Sequence, residues 1–99
     1  MKYRIEYSPE TEKHFRVLTA LQQSIVLDTV ERQLQYQPTL ETRNRKPMRP
    51  NPIAPWELRI GTLRVYYDIE DEPEHIVYIR AIGIKKRNIV KIVKEVIKL

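Results

Sequence analysis

Between Trp56 and Ile69 the chain reads Trp-Glu-Leu-Arg-Ile-Gly-Thr-Leu-Arg-Val-Tyr-Tyr-Asp-Ile, and Glu57, Arg59, Arg64 and Tyr66 are the residues in it that can do chemistry. They alternate with large apolar residues, and the alternation breaks once, at Gly61-Thr62. This is the pattern of a β-hairpin with one apolar face and one charged face. Trp56, Leu58, Ile60, Leu63, Val65, Tyr67 and Ile69 are expected to enter a core. A carboxylate, two guanidiniums and a phenol then share the opposite face. The planar fork of a guanidinium binds two phosphate oxygens at once, so this face suits a phosphodiester. The plainer alternative is a solvated strand face on which Glu57 and Arg59 pair across to Arg64.

The neighbouring segments must position that hairpin. Tyr3, Ile5 and Tyr7 alternate with Lys2, Arg4 and Glu6, which predicts a strand. Ser8-Pro9 predicts a helix start, with serine as the cap and proline at the first helical position. Phe15 and Leu18 form its apolar edge. Thr19 with Gln22 has the spacing of a capping box, and Val26, Leu27, Val30 and Leu34 supply the stripe of a second helix ending before Pro38. The short connection predicts an antiparallel helical hairpin. Pro38, Pro47, Pro50, Pro52 and Pro55 exclude helix and central strand from 37 to 55, leaving a stiff, basic, extended loop. After the β-hairpin come an acidic turn from Glu70 to His75, a strand from Ile76 to Ile82, and a bend at Gly83. In the tail, Ile89, Ile92, Val93, Val96 and Ile97 sit at helical spacing, although their β-branching favours a strand. The spacing predicts an amphipathic C-terminal helix. The fold class is α+β: an N-terminal strand, a two-helix hairpin, then a mostly antiparallel three-strand meander completing one sheet.

The 99 residues, 41% of them apolar, are expected to form a single domain spanning 1–99. The absence of cysteine excludes disulfides and thiolate chemistry. With no apolar signal core and no apolar run near ~20 residues, a cytoplasmic protein is expected, not one that spans a membrane. The net charge is +5, and the excess is clustered. Arg43, Arg45, Lys46 and Arg49 form one group; Lys85, Lys86, Arg87, Lys91, Lys94 and Lys98 form another. Such clusters suit a polyanion or an acidic protein. His14 and His75 read as ordinary surface residues.

In element order, and in the segments Tyr-Arg-Ile-Glu-Tyr-Ser-Pro-Glu, Trp-Glu-Leu-Arg-Ile-Gly-Thr-Leu-Arg-Val-Tyr-Tyr and Ile-Arg-Ala-Ile-Gly-Ile-Lys-Lys-Arg, the chain resembles the RelE/ParE family of bacterial toxins. The resemblance implies a type II toxin–antitoxin module, neutralised by a cognate antitoxin and needing no metal or organic cofactor. RelE-like members cut mRNA, typically on the ribosome; ParE-like members inhibit DNA gyrase without an RNase site. Arg64 stands at the family's strand arginine and Arg59 at a second basic position. Glu57 stands where YoeB-like members carry a glutamate able to act as base. After Gly83, where family nucleases often place His or Arg, this chain has Ile84, Lys85 and Lys86, and Lys91 stands near a C-terminal Tyr position. The implied catalytic set is therefore Glu57, Arg59, Arg64 and Lys85. Arg43, Arg45, Lys46, Arg49, Tyr66, Lys86 and Arg87 are the expected RNA contacts. The leading expectation is a ribosome-associated mRNA endoribonuclease. The alternatives are a non-catalytic gyrase inhibitor and a decayed toxin that only binds antitoxin.

Overall fold

The computed structural model describes residues 1–93 and the backbone of Glu95–Ile97. Its elements are β1 (Arg4–Tyr7), α1 (Thr11–Arg16), α2 (Ala20–Leu34), β2 (Arg45–Pro47), β3 (Trp56–Ile60), β4 (Leu63–Glu70), β5 (Ile76–Lys86), β6 (Ile89–Ile92) and β7 (Glu95–Ile97). They build one seven-stranded sheet in the order β2-β3-β4-β5-β6-β7, with β1 running parallel to β5. The β3-β4-β5 meander is the expected one. No helix among the described residues is long and apolar enough to cross a membrane.

The capping box starts α2 as its residues dictate. The Thr19 hydroxyl accepts from the Gln22 N–H, and the Gln22 side-chain oxygen accepts from the Thr19 N–H. Val26, Val30 and Leu34 face inward at one-turn spacing, but Leu27 lies outside that stripe and is half exposed. The start of α1 differs from expectation. Glu10 takes the cap position without a side-chain bond. Ser8 works through its carbonyl, which accepts from the Thr11 N–H and hydroxyl. Its own hydroxyl donates to the Arg80 carbonyl.

On the helix side of the sheet, Leu58, Leu63, Val65, Tyr67, Val77, Ile79 and Ile82 meet Leu18 and the α2 stripe in one apolar core. A smaller cluster lies on the back: Tyr66, Ala81, Val90 and Ile92 beneath Met48, Ile53 and Ala54. The proline-rich segment is thus not an extended arm. It folds over the back of the sheet, and Asn51 holds it there. The Asn51 side-chain oxygen accepts from the Ile53 and Ala54 N–H groups at 2.8 and 3.0 Å, and its amide donates to the carbonyls of Arg49 and Ala54 at 2.7 and 2.9 Å.

The tail forms strands, which corrects the C-terminal helix. β6 pairs antiparallel with the end of β5, Ile84 opposite Lys91 and Lys86 opposite Ile89, after a turn with Arg87 at φ 57°. Val90 and Ile92 are buried while Ile89 and Lys91 are exposed, so period two overrides the helical spacing. Gly83 is not a bend either. It lies within β5, and a Cβ there would come within 2.9 Å of Val90 Cγ1 and 3.0 Å of the Lys91 carbonyl. The expected stripe extends to Val96 and Ile97, whose side chains lie outside the described residues, as do Lys94 and Lys98 of the basic tail.

β5 is the strand on which everything else registers. Along one edge it pairs with β4, with a register shift between Tyr66 and Tyr67 that leaves Arg80 as the extra residue. Along the other it carries β1 at 76–79 and β6 at 84–86. Between those two partners the Ile82 N–H would face no strand; His14 Nδ1 accepts it at 3.2 Å. This histidine, read as a surface residue, plugs the edge of the sheet. The acceptor role fixes its neutral tautomer, and burial lowers its pKa, against an opposing pull from Glu10.

Candidate functional site

Antiparallel register lines up the charged face in transverse rows. Lys46, Glu57, Tyr66 and Ala81 are successive cross-strand partners from β2 to β5. The next row is Arg59, Arg64 and Gly83. Both rows lie on the back, because the intervening Leu58 and Val65 belong to the helix-side core.

The hairpin, the folded-back loop and β6 enclose a groove of about 320 Å³. Glu57, Arg59, Lys46, Arg49, Lys85 and Asn88 line it, with Pro47, Met48 and Val90 as its apolar walls. Glu57 is 8% exposed, an uncommon setting for a carboxylate, and it accepts from Arg59 Nε at 2.9 Å. Lys46 also reaches Glu41, at 3.4 Å. Four cations around one buried carboxylate leave the groove net positive. It is therefore suited to an anion that brings its own negative charge.

The remaining expected site residues are placed elsewhere. Arg64 shares the face, but its guanidinium donates to the Gly61 and Leu63 carbonyls at 2.6 and 2.9 Å, folded onto the hairpin turn. Arg45 is not presented to solvent as a backbone clamp. It donates to the carbonyls of Gln33 and Gln37, both at 2.9 Å, and so caps the C-terminal end of α2. Arg43 is exposed in the loop before β2. Lys86 and Arg87 line a different cavity, about 440 Å³, whose apolar walls are Val17, Leu18, Ile84, Ile89 and Val93.

Tyr66 is not an exposed stacking platform. It is fully buried under the proline-rich segment, and among the described residues its hydroxyl forms no well-aligned hydrogen bond, lying beside Glu57. Burial, and next the adjacent Glu57 carboxylate, raise its pKa above the ordinary phenol value. Asn88 and Met48 in the groove were not among the expected residues. Asn88 could have been found from the Arg87-Asn88 pair, a turn signal between two β-branched runs, had the tail been read as a strand. Among the described residues, no group of three or more His, Asp or Glu side chains is arranged to hold a metal ion.

No protein-family profile matches the sequence. No curated protein sequence matches it. A solved structure does: a chain of the toxin–antitoxin complex RelBE2 from Mycobacterium tuberculosis, with a TM-score of 0.72 over 86% of this chain and 100% of that one, at 22% sequence identity. At that identity the likeness is one of architecture, and the mixed sheet with two helices on one face is a RelE-like fold.

Proposed function

We propose that the chain is the toxin of a toxin–antitoxin pair and cuts messenger RNA by metal-free transesterification in the groove around Glu57. The observation that carries this reading is the meeting of one buried carboxylate with Lys46, Arg49, Arg59 and Lys85 in a single groove. The substrate phosphate sits between Arg59 and Lys85. Glu57 takes the 2′-hydroxyl proton, the 2′ oxygen bonds to phosphorus, and the cations absorb the charge that builds on the phosphoryl oxygens. Arg64 leaves the turn carbonyls to join them. The bond from phosphorus to the 5′ oxygen breaks, and Lys85 protonates that oxygen. The products are a 2′,3′-cyclic phosphate and a 5′-hydroxyl.

The fold likeness to a chain of a toxin–antitoxin complex supports an antitoxin partner. The second cavity suits it: Val17, Ile89 and Val93 are partly exposed there, and Lys86, Arg87 and Lys91 surround them. An amphipathic segment with acidic residues beside its apolar ones would fit. Arg43, Lys86 and Arg87 would hold RNA backbone on the ribosome, in the cytoplasm, when the antitoxin is absent.

The test is cleavage of single-stranded RNA, free or on ribosomes, by the purified chain in excess chelator. Cut RNA ending in a 2′,3′-cyclic phosphate, slowed about 10²–10⁴-fold by Glu57→Gln, is the expected result. Intact RNA together with gyrase-linked DNA breaks in expressing cells would put the gyrase-inhibitor reading in its place.

A further inference from the structure

The back face contains one polar group that its packing does not explain. Tyr66 is fully buried, and its ring alone would serve the small apolar cluster of Ala81, Val90 and Ile92. Its hydroxyl adds nothing to that packing and, among the described residues, forms no well-aligned hydrogen bond, although it lies close to the Glu57 carboxylate. A buried hydroxyl without a partner is unfavourable, and in folded proteins such groups call for an explanation. Tyr66 stands directly opposite Glu57 in the β3–β4 register, and Glu57 is the nearest acceptor of consequence.

Glu57 is held by Arg59 through Nε. A guanidinium that binds a phosphate side-on gives the phosphate its Nε–H together with one terminal N–H. Arg59 cannot do this and keep its bond to Glu57. A phosphate bound in that side-on mode would strip the carboxylate of its partner at the moment it must act as base. Left alone, a buried carboxylate would turn toward Lys46 or Arg49 or take up a proton.

We propose that Tyr66 is a positioning residue for the proposed RNA cleavage: when a phosphodiester draws Arg59 away, the Tyr66 hydroxyl donates to the Glu57 carboxylate and keeps it aimed at the 2′-hydroxyl. Arg59 guards the base in the free protein, and Tyr66 holds it in the complex. The inference rests on the nuclease reading above, and it also makes a statement about binding that needs no cleavage.

Tyr66→Phe isolates the hydroxyl, since the ring and its packing are retained. Cleavage by this variant is expected to lose roughly 10- to 100-fold in kcat, the worth of one hydrogen bond to a charged group, with KM little changed. In a Glu57→Gln background, the same substitution should cost nothing further. An RNA carrying a 2′-deoxy nucleotide at the cut site, which binds without reacting, supplies the second readout by NMR. The Arg59 Nε–H resonance should shift on binding, and the Tyr66 hydroxyl proton should become protected from exchange. Wild-type kcat in Tyr66→Phe, a loss confined to KM, or additive losses with Glu57→Gln would overturn the proposal. If the wild-type chain binds this RNA yet cuts no substrate, the nuclease reading fails by itself. The partner exchange then stands on a protected hydroxyl proton and falls on an unprotected one.

Discussion

Tyr66 and Tyr67 are consecutive, both fully buried, and differently treated by the fold. Tyr67 points into the helix-side core, lies against Trp56 with ring centroids 6.1 Å apart, and donates its hydroxyl to the Pro38 carbonyl at 2.7 Å. Tyr66 points to the back, and among the described residues its hydroxyl forms no well-aligned hydrogen bond, with only the Arg59-bonded Glu57 beside it. One side of the sheet is finished, with each polar atom of its tyrosine satisfied. The other is packed only as far as the edge of the groove and left incomplete there. Because side chains alternate, a single strand takes part in both arrangements without either compromising the other. The helix side carries the main core, and the back carries the candidate site, a groove where cations outnumber the one buried carboxylate.

Neighbouring substitutions should separate the two sides. Leu58→Ala opens a cavity in the helix-side core and is expected to cost about 2–5 kcal/mol in denaturant unfolding. Arg59→Ala, one residue along on the other face, takes the bonded partner from the buried Glu57 and should cost less, about 1–3 kcal/mol, while lowering the proposed cleavage rate about 10²–10³-fold. If the two variants lose stability alike, the division of labour is wrong. Gly83→Ala tests the close approach of β6 that walls the groove. Its Cβ would press on Val90 Cγ1 and the Lys91 carbonyl, and a loss of about 1–3 kcal/mol is expected from this overpacking.

The two tyrosines give a subtler comparison. Tyr67→Phe leaves the buried Pro38 carbonyl unpaired and should cost about 1–2 kcal/mol. Tyr66→Phe removes an unpaired hydroxyl, so its unfolding midpoint should equal or exceed that of wild type. The smallest effect is a pH dependence from His14. Burial lowers its native pKa below the ordinary 6.5, so as pH falls the unfolded chain takes up a proton before the folded one. Its contribution is complete above pH 6.5, the unfolded value, and is lost as pH falls toward the lowered native value. Melting temperatures between about pH 5 and 8 should show this slope in wild type and a shallower one in His14→Gln.

Much of this was legible locally. The capping box at Thr19, the α2 stripe at Val26, Val30 and Leu34, and the two faces of the hairpin follow from spacing alone. The resemblance implies a catalytic set of Glu57, Arg59, Arg64 and Lys85 and leaves Lys46 and Arg49 on a separate basic loop; that these two line one groove with Glu57, Arg59 and Lys85 follows only from the pairing of β2 with β3 and the fold-back of the loop. What was not legible depends on partners distant in sequence. Arg45 looks like any loop cation until the end of α2 offers it carbonyls. His14 looks like a surface histidine until a gap between β1 and β6 leaves the Ile82 N–H without a strand. The tail has apolar residues compatible with both periods, and the choice falls to strand because β5 runs past β1's partners at 76–79 and leaves residues 84–86 on that same edge for β6 to join. The covering of Tyr66 comes from Met48, Ile53 and Ala54, a loop whose proline content says only what it is not.

The parallel pairing of β1 with residues 76–79 has a consequence for the order in which the molecule can come into being. During synthesis the first strand emerges long before the strand it must join, and the α2 stripe waits without the sheet that covers it. The groove is later still, since one wall belongs to the hairpin and the other to Asn88 and Val90. Such non-local pairings make folding slow and leave apolar surface open while it proceeds. A chain interrupted upstream of β5 has neither a closed core nor a site. The topology therefore withholds the groove until nearly the whole described sequence has left the ribosome.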